Sequence, residues 1–163
     1  MIPLLLALAA VLVLVAARQA RAVTVDENAK ELTPIQQMVY QAARAHDVEP
    51  AMVLAIIEHE SHFDPAVVNK RDPSYGLGQV MAFWVPFFGL GTLEQAPAIL
   101  LDPGFNADIT ARIVQYFFYE HTFTFPAEAD IYNVGETLWR KGIRNGSYRD
   151  GVTQKFHRWR ERL

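Results

Sequence analysis

The spacing of apolar residues divides the chain into an uninterrupted apolar run and a longer region with helical periodicity. Residues 1–17 (MIPLLLALAAVLVLVAA) carry no charged side chain, and Arg18 and Arg21 follow them. From residue 33 onward, apolar positions recur three and four apart, which is the period of one helix face. Because no segment alternates convincingly between apolar and polar residues, the pattern predicts a mostly α protein with long loops.

Local signals set the expected bounds of these helices. Thr33 suits the cap of a helix that starts at Pro34, and Pro50 suits the first turn of a second helix. Helices are predicted over about 34–47, 50–64, 106–121 and 127–141, and from the turn at Asn145-Gly146 to residue 163. A polar loop is expected over 67–75. In the third helix the residues predicted to face inward are Ile109, Ile113, Val114, Phe117 and Phe118.

The apolar run at the N-terminus predicts membrane contact or export. At about 1.5 Å per residue, a helix of this length reaches roughly 25 Å, which is short of a hydrocarbon core of about 30 Å. It is either a secretory signal, with Ala20-Arg21-Ala22 as the cleavage site, or a short uncleaved anchor. The absence of Lys or Arg before the run counts against the signal, and the arginines after it count against an anchor that exports the domain. The predicted organisation is a leader or anchor at 1–22, a linker at 23–32 and one domain at 33–163.

Composition narrows the function classes. The chain has 163 residues, which suffices for one domain with a real core, and no cysteine, which excludes disulfides and thiolate metal sites. The net charge of −3 gives no reason to expect nucleic acid as a partner. The basic ending, from Lys155 to Arg162, is expected to be a solvated helix face, with attraction to an anionic polymer or lipid as the alternative.

The segment AIIEHESHFDP, residues 55–65, holds the candidate chemistry. On a helix, Glu60 shares the apolar face of Val53, Ile56 and Ile57. A carboxyl group in apolar surroundings favours its acid form, and such a group can hold a proton at neutral pH and deliver it to a leaving oxygen. The alternative is that Glu60 marks the end of the helix and reaches water.

The histidines of the same segment do not have the spacing of a common zinc motif. Zinc peptidases use H-E-x-x-H, in which two histidines four residues apart share a helix face. Here His59 and His62 are three apart and no third ligand is evident nearby. No metal and no cofactor are therefore expected.

Three motifs in order produce a specific resemblance. AIIEHES is followed by a polar loop, then by GLGQVM, and much later by IYNVG. This order is similar to that of the lytic transglycosylases of the soluble-lytic-transglycosylase type, and the likeness runs from about Thr33 to the C-terminus. The resemblance implies a single lysozyme-like α domain that acts on the glycan strands of peptidoglycan without a cofactor.

The resemblance also implies roles for individual residues. Glu60 matches the single catalytic acid, and Tyr132 matches the tyrosine whose hydroxyl bonds and orients that acid. The positions that match a substrate-binding role are Gln79, Met81, Asn133 and Asn69. The alternatives are helix positioning for Asn133, a turn role for Gln79 and a place in the core for Met81. The positions that match structural glycines and the motif serine are Ser61, Gly76 and Gly135.

Two departures from the family pattern affect this likeness. Gly78 stands where a methionine is usual, which is expected to remove bulk beside the sugar groove. Ile131 stands where an alanine is usual.

The implied reaction cleaves the β-1,4 bond between N-acetylmuramic acid and N-acetylglucosamine and forms a 1,6-anhydro sugar. One alternative is a hydrolase of goose-lysozyme type. Another is a non-catalytic wall-binding protein with a membrane, virion or envelope assembly partner. The expected location is the bacterial cell envelope, periplasmic or membrane-anchored, or a phage virion.

Overall fold

The computed structural model describes residues 31–117 and 125–163, which form eight helices and one small sheet. The helices are α1 Pro34–Ala45, α2 Pro50–Ser61, α3 Trp84–Phe87, α4 Ala96–Leu100, α5 Pro103–Gln115, α6 Ala127–Val134, α7 Glu136–Arg140 and α8 Gly146–Arg162. The strands are β1 Val68–Asn69, β2 Ser74–Tyr75 and β3 Val80–Met81. The predicted mostly α class is confirmed. The predicted leader and most of the predicted linker lie outside the described residues.

Helix α1 begins as its cap residues require. The Thr33 hydroxyl accepts the backbone N–H of Gln36, and the Gln36 side chain accepts the N–H of Thr33, which is a reciprocal capping box. Pro34 occupies the first turn, where its missing N–H costs no hydrogen bond. Helix α2 also opens with a proline, and it ends at Ser61, three residues before the predicted end, because His62 adopts a left-handed conformation with φ 54°.

Helix α2 is the central helix of the domain. Residues 51–57 are all buried, so this helix is covered on every side rather than along one stripe. It packs against α8 on one side and α1 on another, and α1 in turn packs against α5. The side chain that follows this buried stretch by three residues, Glu60, is therefore placed at the edge of the core.

The region between α2 and α5 carries short strands that the sequence did not predict. The three strands form an antiparallel sheet in the order β1-β2-β3, with Asn69 paired to Ser74 and Tyr75 paired to Val80. Each strand has only two residues, so no alternating pattern is long enough to be recognised. The short helices α3 and α4 lie between β3 and α5, outside the helices that the sequence predicts.

The helix predicted over 127–141 is two helices. Gly135, with φ 77°, separates α6 from α7, and a conformation of that kind is costly for a residue with a Cβ atom. The helix predicted from Asn106 begins earlier, at Pro103, because the Asp102 side chain caps it by accepting the N–H of Phe105. Its predicted inward residues Ile109, Ile113, Val114 and Phe117 are buried, and Phe118 lies outside the described residues.

The loop between β2 and β3 is tied to α5 by one buried amide. Asn106 is fully buried, and its Nδ2 donates to the carbonyl oxygens of Tyr75 (2.8 Å) and Leu100 (2.7 Å). Its Oδ1 accepts the backbone N–H of Gly78 at 2.8 Å. Because an unpaired buried amide costs free energy, these bonds fix the loop against α5.

Residues Leu32–Leu163 form one compact unit. Within the part of the chain that the structure describes, no helix combines the length and the apolar character needed to cross a membrane.

Gly76 and Gly89 give a matched test of this packing. Both have positive φ, 69° and 68°, but a Cβ atom at Gly76 would lie 2.3 Å from the Leu100 carbonyl oxygen, whereas nothing lies within 4 Å at Gly89. We expect Gly89→Ala to lower the free energy of unfolding by about 1 kcal/mol through backbone strain alone. We expect Gly76→Ala to lower it by about 3 kcal/mol or more, because steric overlap is added. Urea unfolding measures both, and equal losses would contradict the packing described here.

Candidate active site

The carboxyl group of Glu60 lies where α2 meets α8. Glu60 belongs to the last turn of α2, and the hydroxyl of Tyr148, in the first turn of α8, donates to its Oε1 at 2.5 Å. Tyr148 is buried. Among the described residues, no group donates a hydrogen bond to the other carboxyl oxygen, Oε2. One oxygen is thus fixed by protein and the other remains available for proton exchange.

Burial changes the acidity of this carboxyl group. Loss of solvation raises the pKa of Glu60 to about 7, and the hydrogen bond from Tyr148 opposes that rise in the pKa because it stabilises the carboxylate. At neutral pH both protonation states are therefore populated, which suits a group that must give up and regain a proton. The same burial, aided by the negative charge of Glu60, raises the pKa of Tyr148 well above its ordinary value, so the phenol stays a donor.

Tyr132 lies close to the same carboxyl group but does not bond to it. Its hydroxyl donates to the carbonyl oxygen of Gly78 at 2.7 Å. The hydrogen bond that the family resemblance implies between Tyr132 and Glu60 is replaced by the bond from Tyr148. Burial raises the pKa of Tyr132, and the negative charge of Glu60 raises it further, so Tyr132 remains neutral beside the acid.

Gly78 is a point of close packing. A Cβ atom there would lie 2.1 Å from the Thr110 hydroxyl oxygen and 2.9 Å from the Tyr132 hydroxyl oxygen. The expectation that Gly78 leaves space beside a groove is wrong, because the position is buried and the space is filled by these two side chains. Gly78 instead lets the loop approach α5 and α6 closely enough for the Tyr132 hydrogen bond to form.

The side chain of Gln79 forms hydrogen bonds within its own loop region. Its Nε2 donates to the carbonyl oxygens of Val67 (3.1 Å) and Gly76 (3.0 Å), and its Oε1 accepts the hydroxyl of Ser74 at 3.1 Å. These bonds favour the turn role for Gln79, which also has a positive φ of 47°. Met81, on β3, has 41% of its surface exposed and is available to a ligand. Asn69 is exposed, and its Oδ1 accepts the N–H groups of the next turn.

The remaining predicted residues have structural contacts. Asn133, at the end of α6, accepts the Nδ2–H of Asn145 at 2.8 Å, which favours the helix-positioning alternative. The Ser61 hydroxyl is buried and donates to the carbonyl oxygen of Ile57 at 3.3 Å. Gly76 and Gly135 both have positive φ.

Comparison with known proteins decides the family. A family model described as the transglycosylase SLT domain matches residues 37–151, which is most of the chain. The chain belongs to the transglycosylase SLT domain family. The resemblance seen in the three motifs and the lysozyme-like fold class are thereby confirmed, and a lytic-transglycosylase-type function directed at peptidoglycan is supported. A search of curated proteins finds no match.

Helix α8 of this SLT domain is attached by polar contacts to α2 and to Glu49, the residue that precedes α2. Glu58 pairs with Arg158 and accepts the indole N–H of Trp159 at 2.7 Å. Arg160 pairs with Glu49 at 3.2 Å. Two of the arginines in the basic ending are therefore balanced by acids of the N-terminal half, which leaves less net positive charge on this face than the sequence indicates.

His59 packs at the same junction. Its ring meets Tyr148 edge to face, with centroids 4.6 Å apart, and a Cβ atom at Gly151 would lie 2.6 Å from it. Burial lowers the pKa of His59, and nearby Lys155 and His62 lower it further, so the ring is a neutral packing element. Within residues 31–117 and 125–163, no group of three His, Asp or Glu side chains is arranged to hold a metal ion.

Sequence reasoning assigned no role to Tyr148 or Asn106. Both lie in regions whose layout fits the family, but neither belongs to the three short motifs. Asn145-Gly146 indicates a turn, whereas Asn145 is in fact the cap of α8 and so places Tyr148 in the first helical turn. The helix predicted from this turn to residue 163 already places Tyr148 near its start, but the sequence does not show which helix end Tyr148 meets.

The raised pKa of Glu60 has a consequence for stability. In the unfolded chain a glutamate has a pKa of about 4.3, so between that pH and about 7 the folded protein binds more protons, and the free energy of unfolding falls as pH rises. Glu60→Gln removes this penalty while it keeps an oxygen that accepts from Tyr148. We expect the variant to be more stable than wild type by up to about 3 kcal/mol at pH 8 and by much less at pH 4.

Urea unfolding at the two pH values measures this difference. Glu94→Gln, in an exposed loop, is the control for the removal of one carboxylate. A stability difference for Glu60→Gln that is the same at both pH values would contradict the raised pKa.

Proposed function

We propose that this protein is a peptidoglycan lytic transglycosylase in which Glu60 is the single general acid and base. The observation that carries this proposal is a half-buried carboxyl group with a pKa near 7, one oxygen of which is fixed by Tyr148. The substrate is the glycan strand, cut at the β-1,4 bond between N-acetylmuramic acid and N-acetylglucosamine. Exposed Met81 is proposed to contact the sugars.

The first step uses the acid form of Glu60. The proton on the carboxyl group passes to the bridging oxygen, the bond from that oxygen to the anomeric carbon breaks, and N-acetylglucosamine leaves with a free hydroxyl. The carboxylate that remains accepts the hydrogen bond of Tyr148, which stabilises the charge as it forms. Because burial raises the pKa of Glu60, the carboxyl group can still carry its proton at neutral pH. The hydrogen bond from Tyr148 stabilises the carboxylate and so makes release of that proton less costly.

The second step uses the carboxylate as a base. It takes the proton from the C6 hydroxyl of the muramic acid residue while that oxygen attacks the anomeric carbon. The product is a 1,6-anhydro ring, Glu60 is protonated again, and no water is consumed. Because the substrate supplies its own nucleophile, one carboxylate suffices where most glycosidases use two.

The charges around Glu60 fit a single-acid mechanism. Among the described residues, no other carboxylate contributes to the raised pKa of Glu60, and the groups that interact electrostatically with Glu60 are two neutral tyrosines. The carboxylates nearest in sequence on the C-terminal side, Asp64 and Asp72, are exposed in the loop after α2. In a goose-lysozyme-type hydrolase, Glu60 would activate water instead.

The domain must reach peptidoglycan outside the cytoplasmic membrane to perform this reaction. The apolar run of residues 1–17 is the part of the sequence suited to bring it there, as a signal or as an anchor. We therefore propose the bacterial envelope as the place of action, with a phage particle as the alternative.

Removal of the proton tests the proposal. We expect Glu60→Gln to lower the rate of cell-wall clearing at least about 10²–10⁴-fold, because the amide has no proton to transfer. Asp64→Asn, which neutralises an exposed carboxylate four residues later, is the matched control and should clear at the wild-type rate. Clearing by Glu60→Gln at the wild-type rate would leave only a wall-binding role.

Mass analysis of the released muropeptides distinguishes the two enzymatic outcomes. Anhydro ends support the transglycosylase, whereas reducing ends would assign the protein as a hydrolase of the same bond.

The two tyrosines should affect catalysis differently. Tyr148→Phe removes the hydrogen bond that lowers the pKa of Glu60, so this pKa should rise and the alkaline limb of kcat/KM should move to higher pH. Tyr132→Phe removes a bond to Gly78 and should lower activity without moving that limb. A shift with Tyr132→Phe and none with Tyr148→Phe would reverse the assignment of the two phenols.

A further inference from the structure

A buried carboxylate on α6 takes no part in the proposed chemistry. Asp130 is 2% exposed, and its Oδ1 accepts the backbone N–H of Asn145 at 3.1 Å. Its Oδ2 lies 3.5 Å from Nη1 of Arg149, which is a long contact for an ion pair. The backbone N–H of Asn145 is therefore the closer of the two partners of Asp130, so the contacts of this side chain point to the start of α8.

Asp130 acts on the residue that starts α8. Asn145 is the cap of α8, and its Oδ1 accepts the backbone N–H of Tyr148 at 3.2 Å. The Nδ2 of the same cap donates to Oδ1 of Asn133 at 2.8 Å. Asp130 and Asn133 are three residues apart on α6, so they lie on one helix face and attach the cap at two points, through its backbone and through its side chain.

The capped turn carries the phenol of the candidate active site. Tyr148 is the third residue of α8, its backbone N–H is bonded to the cap, and its hydroxyl reaches Oε1 of Glu60. A series of three hydrogen bonds therefore runs from Asp130 through Asn145 and Tyr148 to Glu60. A small displacement of the first turn of α8 would lengthen the last of these bonds, which at 2.5 Å tolerates little movement.

We propose that Asp130 is a positioning residue, which fixes the Asn145 cap of α8 so that the Tyr148 hydroxyl stays on the Glu60 carboxyl group. The importance of this position for catalysis rests on the proposed function, but the positioning itself does not. The polar groups that interact with Glu60 are Tyr148 from α8 and Tyr132 from α6. The charged side chain that faces Asp130 is Arg149.

The protonation of Glu60 in the folded protein reports the position of Tyr148 without any assay of activity. The experiment is an NMR titration of the Glu60 side-chain carboxyl carbon in the full chain. Asp130→Ala should raise the pKa of Glu60 by at least half of the rise that Tyr148→Phe produces. The double variant should rise no further than Tyr148→Phe alone, because both substitutions act on one hydrogen bond.

Asp150→Ala is the matched control. Asp150 also pairs with Arg149, at 3.1 Å, and lies two residues after Tyr148, but it is exposed and does not touch the cap. It should leave the Glu60 titration unchanged. If Asp130→Ala does not fold, Asn145→Ala keeps the backbone N–H that Asp130 accepts but removes the bond from the cap side chain to Tyr148, which is the next link of the same series. It should raise the pKa of Glu60 in the same direction.

The outcomes separate this inference from the proposed function. A folded Asp130→Ala or Asn145→Ala protein with the wild-type Glu60 titration would overturn the positioning role. A shift that adds to that of Tyr148→Phe would also overturn it, because Asp130 would then act by another route. If Glu60→Gln kept full activity, the proposed function would fail while the titration would still test Asp130.

Discussion

The hydrogen bond between the Tyr148 hydroxyl and the Glu60 carboxyl group is the contact on which the site depends. Burial alone would leave Glu60 as a weak acid that is reluctant to release its proton. The phenol offsets part of that effect and brings the pKa to about 7, where both forms exist at neutral pH. Because the two residues are 88 positions apart in sequence, the bond forms only if α2 and α8 pack in one arrangement.

The contacts around this bond explain why the rest of the domain is built as it is. Glu58 secures α8 to α2 through Arg158 and Trp159, and Gly151 makes room for the ring of His59 between the two helices. Helix α6 contributes Tyr132, whose phenol lies near the acid, and also Asp130 and Asn133, whose side chains bond to the Asn145 cap of α8. Three helices thus converge on one carboxyl group without a metal ligand set among the described residues.

Much of the fold and part of the site follow from the sequence. The cap at Thr33, the first-turn proline at Pro50 and the helical period placed the starts of α1 and α2 correctly, since these signals are local. The three strands escaped prediction because two-residue strands have no periodicity, and the break at Gly135 escaped because its flanks both favour helix. Contacts between residues far apart in the sequence could not be predicted for a different reason. Nothing near Tyr148 in sequence indicates that it meets Glu60.

Family likeness singled out Glu60 as the candidate acid and matched Tyr132 to its hydrogen-bond partner. The Y-N motif led to Tyr132. In the structure, however, the Tyr132 hydroxyl donates to the Gly78 carbonyl oxygen, and it is the Tyr148 hydroxyl that donates to Glu60. The Gly78 departure was likewise read as a gain of space, although the position is filled by Thr110. In both cases the motif identified which residues gather at the site, and only the packing of α5, α6 and α8 determined which atoms touch.

The pKa of Glu60 in the wild-type folded protein tests the central claim most directly. Selective ¹³C labelling of glutamate side chains, with Glu60→Gln used to assign the resonance, gives this value without substrate. The account predicts a midpoint of about 7. A midpoint near 4.3, the value of a solvated glutamate, would contradict it, because the carboxyl group would then be hydrated and would carry no proton at neutral pH.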